Sequence, residues 1–132
     1  MSTEIPVLKP GLFTAAADLS GKQFYFVKLA SATTVTVCAG ATDKPIGVLQ
    51  NKPTSGQAAE VMVIGISKVS SDAGLSAGDL IGTSGDGQAD AKTPGTDTTE
   101  YIAGQVISGS NSAGGLATAV INCAHLATIG RA

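Results

Sequence analysis

The stretch from Pro45 to Val69 constrains the fold of this chain more than any other. It runs Pro-Ile-Gly-Val-Leu-Gln, then a polar turn, then Ala-Glu-Val-Met-Val-Ile-Gly-Ile-Ser-Lys-Val. Two strands are expected, separated by Asn51–Gln57, whose Pro53 and Gly56 stop either one from continuing. Side chains alternate along a strand, so Val61 and Val63 point one way while Met62, Ile64 and Ile66 point the other. Both faces are apolar apart from Glu60. A strand covered on both sides belongs at the centre of a core or against another subunit.

Shorter β segments surround it. Phe24–Leu29 holds three of the five aromatic residues and reads as a core-anchoring strand. Thr33–Cys38 alternates, with Val35 and Val37 inward, and Ala39–Lys44 is the turn into the organising pair. After a loop from Ser70 to Gly78, Asp79–Gly82 reads as a short strand. The Asp-Gly step in Gly85-Asp86-Gly87 signals a tight hairpin returning through Ala91. Lys92–Thr99, with Pro94 and Gly95, is expected to be an exposed polar loop. Glu100–Ile107 and Leu116–Ile121 are the last strands, joined by the glycine- and serine-rich Ser108–Gly115. Ala124–Ala132 is expected to close the chain as a loose turn or tail. Ala15–Leu19 has room for a short helix, and no segment keeps a helical period over three turns. The spacing predicts an all-β fold, a small sandwich or barrel of short strands.

The first eighteen residues differ from the rest. Pro6 and Pro10 forbid a regular helix and disfavour a central strand, yet Ile5, Val7, Leu8, Leu12 and Phe13 are too apolar for a solvated tail. An extended N-terminal arm over residues 1–18 is expected, followed by a β-rich domain over 19–132. The arm either docks onto a partner or folds back on its own domain.

Charged residues make up 14% of the chain and the net charge is −2, with no run of Lys or Arg. That leaves no electrostatic footprint for nucleic acid or a membrane surface. A small protein bathed in solvent on all sides carries more charge than this, so part of the surface is expected to be buried against partners. No stretch is long and apolar enough for a membrane-spanning helix, and the start lacks the pattern of a secretion signal. Cys38 and Cys123 each end an apolar strand pattern and read as buried free thiols, in keeping with a reducing cytoplasm.

His125 is the sole histidine, and no nucleophile context accompanies it. Asp72, Asp79, Asp86 and Asp90 read as turn carboxylates; Gly85–Asp90 lacks the alternating ligands and terminal Glu of a calcium loop. Gly109, Gly114 and Gly115 are followed by no helix start and cradle no phosphate. Thr42-Asp43-Lys44, with Ala77-Gly78-Asp79 downstream, is similar to the modified-lysine tip of biotinyl and lipoyl carrier domains. Pro45 after the lysine and the misplaced Gly-Asp depart from that pattern. The expectation is a non-enzymatic protein without metal or cofactor.

Thr42–Gln50, Gly56-Gln57-Ala58 with Val61-Met62-Val63, Gly65–Val69 and Ala77–Leu80 together resemble the small capsid decoration, or cement, proteins of tailed bacteriophages. Ile102–Val106 and Leu116–Val120 continue the likeness, which spans about Phe26 to Ile121. The resemblance implies a β-rich domain on the outer surface of the virion head, assembled in the host cytoplasm. Its implied partners are the major capsid protein and further copies of itself as a homotrimer, its role to bridge and stabilise the shell. The arm residues Ile5, Pro6, Val7, Leu8, Pro10, Leu12 and Phe13 are then the expected capsid contacts. Val61, Met62, Val63, Ile64 and Ile66 form the core or oligomer strand. A carbohydrate-binding or adhesion module is the alternative, although the chain offers no Trp and only Tyr25 and Tyr101 as sugar platforms.

Overall fold

The computed structural model describes residues 11–93, 100–110 and 112–124, and the backbone of 127–128. Within them the chain forms twelve strands: β1 (Thr14–Ala15), β2 (Phe26–Leu29), β3 (Thr34–Val37), β4 (Gly47–Leu49), β5 (Val61–Met62), β6 (Ile64–Ser70), β7 (Leu80–Thr83), β8 (Ala89–Ala91), β9 (Tyr101–Ile102), β10 (Gly104–Ser108), β11 (Leu116–Asn122) and β12 (Ala127–Thr128). The fold is all-β, as the alternating patterns predict. Ala15–Leu19 is not helical: β1 and bends occupy it.

Two five-stranded sheets carry the architecture, in the orders β1-β3-β2-β4-β5 and β6-β11-β10-β7-β8. Bridges close each into a ring. Thr14 meets Ala58 just before β5, and Ser71, just past β6, meets Ala89 in β8. Closure removes the unpaired sheet edges that would otherwise recruit other chains.

The two rings are the same motif used twice. β1 to β5 correspond in turn to β6, β7, β8, β10 and β11, and every neighbour relation keeps its direction. The β1–β3 and β6–β8 contacts are parallel and all others antiparallel. Backbone hydrogen bonds repeat as well. Ala15 N–H donates to Gln57 O and Gly56 N–H to Ala15 O, both at 2.9 Å; Ser71 N–H donates to Gly115 O at 2.9 Å and Gly114 N–H to Ser71 O at 2.8 Å. Gly56 and Gly114 both sit at positive φ, 83° and 79°. Phe24, at φ 68°, donates to Leu49 O as Gly78, at φ 93°, donates to Val106 O. A bulky aromatic residue rarely adopts such a backbone, and the repeat explains why this one does: the turn before β2 must be left-handed in both units.

Burial follows from this duplication. The first unit encloses Phe13, Ala15, Leu19, Val27, Val35, Leu49, Ala59 and Val61. The second encloses Val69, Leu75, Ile81, Val106, Ala119 and Ile121, and the same cluster takes in Phe26, Cys38 and Val48 from the outer face of the first. β4 and the first half of β2 are therefore buried on both faces, Phe26 and Val48 toward the second unit, Val27 and Leu49 toward the interior of their own.

The stretch after the organising turn behaves differently from a single central strand. It breaks at Val63 into β5, the last strand of the first sheet, and β6, an outer strand of the second. Val61 enters the first core and Val63 the second, while Ile66 on β6 is 49% exposed. The expected two-sided cover is thus found at Val61–Val63 and not at Ile66, because the chain changes sheets between them. Residues 14–15, inside the expected arm, form a strand of the first sheet, which ties that segment to the domain.

Candidate interaction surface

The titratable groups are occupied with structure. Asp43 Oδ2 accepts hydrogen bonds from Ala39 N, Gly40 N and Lys28 Nζ at 2.9–3.0 Å, and Asp79 Oδ2 accepts from Ser76 N at 2.9 Å. The Lys28 bond, with the two backbone N–H groups, holds the Asp43 carboxyl below its usual range. Asp86 accepts from Ser84 Oγ and Gln88 N within the β7–β8 turn. Among the described residues no group of three or more His, Cys, Asp or Glu gathers for a metal ion.

Lys92 departs from the expected exposed loop. Its side chain is fully buried, with Nζ donating to Thr83 O at 2.9 Å and pairing with Glu100 and Asp90. The stem lies over Gly82, where a Cβ would fall 2.9 Å from Lys92 Cε and 2.1 Å from Tyr101 O. That close approach lets β9 pack across the β7–β8 end of the second sheet. Pro94–Thr99 lies outside the described residues, as does His125.

Both cysteines are free and buried, and burial pushes each thiol up to about 12. A thiol so far from ionisation is a poor nucleophile at neutral pH. The native protein is expected to resist iodoacetamide at neutral pH and to take up two labels once unfolded in denaturant. Rapid labelling of the folded protein, read by intact mass, would contradict this burial.

Lys44, the carrier-like position, is exposed with Nζ 5.8 Å from the centre of the Tyr101 ring. Beside it a cavity of about 540 Å³ is lined by Lys28, Leu29, Asp43, Ile46 and Cys123 among others.

Among the described residues the most open apolar surface is the outer face of the second sheet. Ladder register aligns Ile66 with Val120, Val120 with Gln105, and Gln105 with Leu80 in a row across four strands. Ile66 and Val120 are 49% and 45% exposed, and Ile107 at the β10 bulge is 48% exposed. Alternation adds Ile64, Lys68, Thr118 and Asn122 to this face, and Lys68 is the only charge among them. A depression of about 310 Å³, lined by Leu80, Ile102, Gly104, Val120 and Asn122 among others, opens on it. Exposed apolar side chains grouped in this way mark contact surfaces.

Of the residues expected to make contacts, Leu12 is 53% exposed and available. Phe13 is 7% exposed and packs in the first unit's core, where its carbonyl accepts the Ala59 N–H. Ile5, Pro6, Val7, Leu8 and Pro10 lie outside the described residues. Val61, Met62 and Val63 are buried, Ile64 is half-buried, and Ile66 stands on the open face. Sequence reasoning missed Leu80, Gln105 and Val120, which only the ladder register brings beside Ile66.

An open apolar face on a two-unit β scaffold defines a candidate contact surface. No protein-family model matches the chain, and no curated protein matches it. Among solved structures it is similar to the N base of the head fiber gp8.5 of bacteriophage phi29, with TM-score 0.63 and 15% identity over 96% of this chain and 100% of that one. That likeness is one of fold.

Proposed function

We propose that the protein is a non-enzymatic structural component of a tailed-phage head, a decoration protein that binds the outer surface of the capsid. It bridges major capsid subunits and so stabilises the shell. The observation that carries this reading is the fold likeness, which runs end to end over a domain belonging to a phage head fiber. The resemblance of Thr42–Gln50, Gly65–Val69 and Ile102–Val106 to capsid decoration proteins supports it independently. So does the low charge. Anything that binds the intact lattice and not its broken form stabilises the lattice by mass action.

The arm up to Leu12 is the capsid clamp in this reading, while Phe13 packs in the first unit's core. Deleting residues 1–11 is expected to leave the melting temperature unchanged and to weaken binding to heads by at least roughly tenfold. Deleting residues 1–17 removes Phe13, β1 and Ala15 as well, and is expected to unfold the first unit. Purified protein would be mixed with heads lacking it, and bound protein quantified after sedimentation. Failure of the full-length chain to bind any expanded head would refute the reading. Unchanged binding by the shorter deletion would move the clamp elsewhere.

A further inference from the structure

We propose that the open face of the second unit is the docking site for a second copy of this chain, whose first unit seats there head to tail. This follows from the internal repeat and does not depend on head binding.

Register fixes which residues are equivalent. Phe26 pairs with Val48 and Val48 with Met62, as Leu80 pairs with Gln105 and Gln105 with Val120. In the first unit this row is covered, with Phe26 and Val48 at 0% exposure and Met62 at 7%. In the second unit the same row lies open. One face of a duplicated motif is thus occupied by the following unit, and among the described residues its twin stays open.

The covering group has a twin too. The turn between β7 and β8 packs on the Phe26 end of the first unit: Phe26 N–H donates to Gly87 O at 2.7 Å, and a Cβ on Gly87 would lie 2.5 Å from Val37 Cγ2. Its counterpart between β2 and β3 closes with the same hydrogen bond, Ala30 N–H to Thr34 O at 2.8 Å against Ser84 N–H to Gln88 O at 2.8 Å. That turn is exposed, and Leu29 at its foot is 49% exposed. Every copy therefore carries one open face and one free turn of kinds that already fit each other inside the chain. Lys68 on β6 and Asp90 on β8, which register places opposite Gly82, are of opposite sign, so the face carries no excess of like charge. A contact between unlike surfaces propagates from copy to copy until a ring closes.

The tests are sedimentation velocity and disulfide trapping of the full-length protein. Wild type is expected to sediment as a closed oligomer. Val120→Asp places a carboxylate in the contact and is expected to weaken association by about a hundredfold, with an unchanged melt because Val120 is exposed in a single copy. On oxidation a Thr33→Cys/Leu80→Cys double variant is expected to link copies covalently, while either single variant does not, and the buried native thiols stay silent. A strictly monomeric wild type, undiminished association of Val120→Asp, or cross-linking of Leu80→Cys alone would each overturn the proposal. Loss of head binding with the oligomer intact would count against the capsid reading and leave this one standing.

Discussion

Val63→Asp is expected to give insoluble or unfolded protein, whereas Ile66→Asp, three residues further on, is expected to fold. Val63 is 5% exposed and belongs to the core shared by the two units, and its carbonyl accepts the Cys123 N–H at 2.9 Å. An aspartate there would bury a carboxylate without a cationic partner. Desolvation alone costs at least several kcal/mol, a large share of the stability of a domain this size. Ile66 points out from β6 and is 49% exposed, so its aspartate stays hydrated. A continuous strand buried on both faces would make the two substitutions equally damaging; a chain that changes sheets at Val63 separates them. Soluble yield and thermal melting decide the matter. A soluble Val63→Asp protein with the wild-type melting temperature would mean that this crossing point is not part of the core.

Most strands were legible because their alternation is local. Thr34–Val37, Gly47–Leu49 and Leu116–Asn122 lie within a residue or two of where period-two patterning puts them. The Asp-Gly turn was legible for the same reason, and Gly87 takes the positive φ, 87°, that the turn requires. Partners across a sheet are not local. Nothing in Ile66 or Val120 says that they are neighbours, so the open face was invisible although each strand on it was expected. Lys92 misled because a lysine ahead of Thr-Pro-Gly reads as solvated, and the slot that buries it depends on a missing side chain at Gly82, ten residues earlier.

The internal repeat was hidden for a different reason. Equivalence between the units lies in backbone hydrogen bonds, while the side chains have diverged: Phe26 answers to Leu80, Val48 to Gln105, Phe24 to Gly78. Only positions where geometry admits few residues kept a trace. Leu19 and Leu75 are both buried under the loop that follows the first strand of their unit, and Gly47 and Gly104 both open the fourth strand. Two leucines and two glycines at unequal spacings are too thin a signal to read as duplication without the ladders.

Those two glycines give the second large effect. A Cβ at Gly47 would stand 2.4 Å from Met62 O, and one at Gly104 would stand 2.2 Å from Val120 O. Each obstacle is a carbonyl of the adjacent strand, β5 in the first unit and β11 in the second, so no side-chain rotation relieves the overlap. The strands must part, breaking the ladder at β4–β5 or β10–β11. Overpacking of this kind typically costs about 1–3 kcal/mol, and the rigidity of both contacts puts Gly47→Ala and Gly104→Ala at or above the upper end. Gly21→Ala is the control, since nothing lies within 4 Å of its added methyl; it is expected to shift stability by no more than about 0.5 kcal/mol. Gly47 is buried and Gly104 only half-buried, so the first substitution is expected to be the more damaging. Urea unfolding of the three variants measures the differences directly. If Gly47→Ala and Gly104→Ala unfold at the wild-type midpoint, the β4–β5 and β10–β11 strands do not approach at these positions, and the equivalence of the two units fails with them.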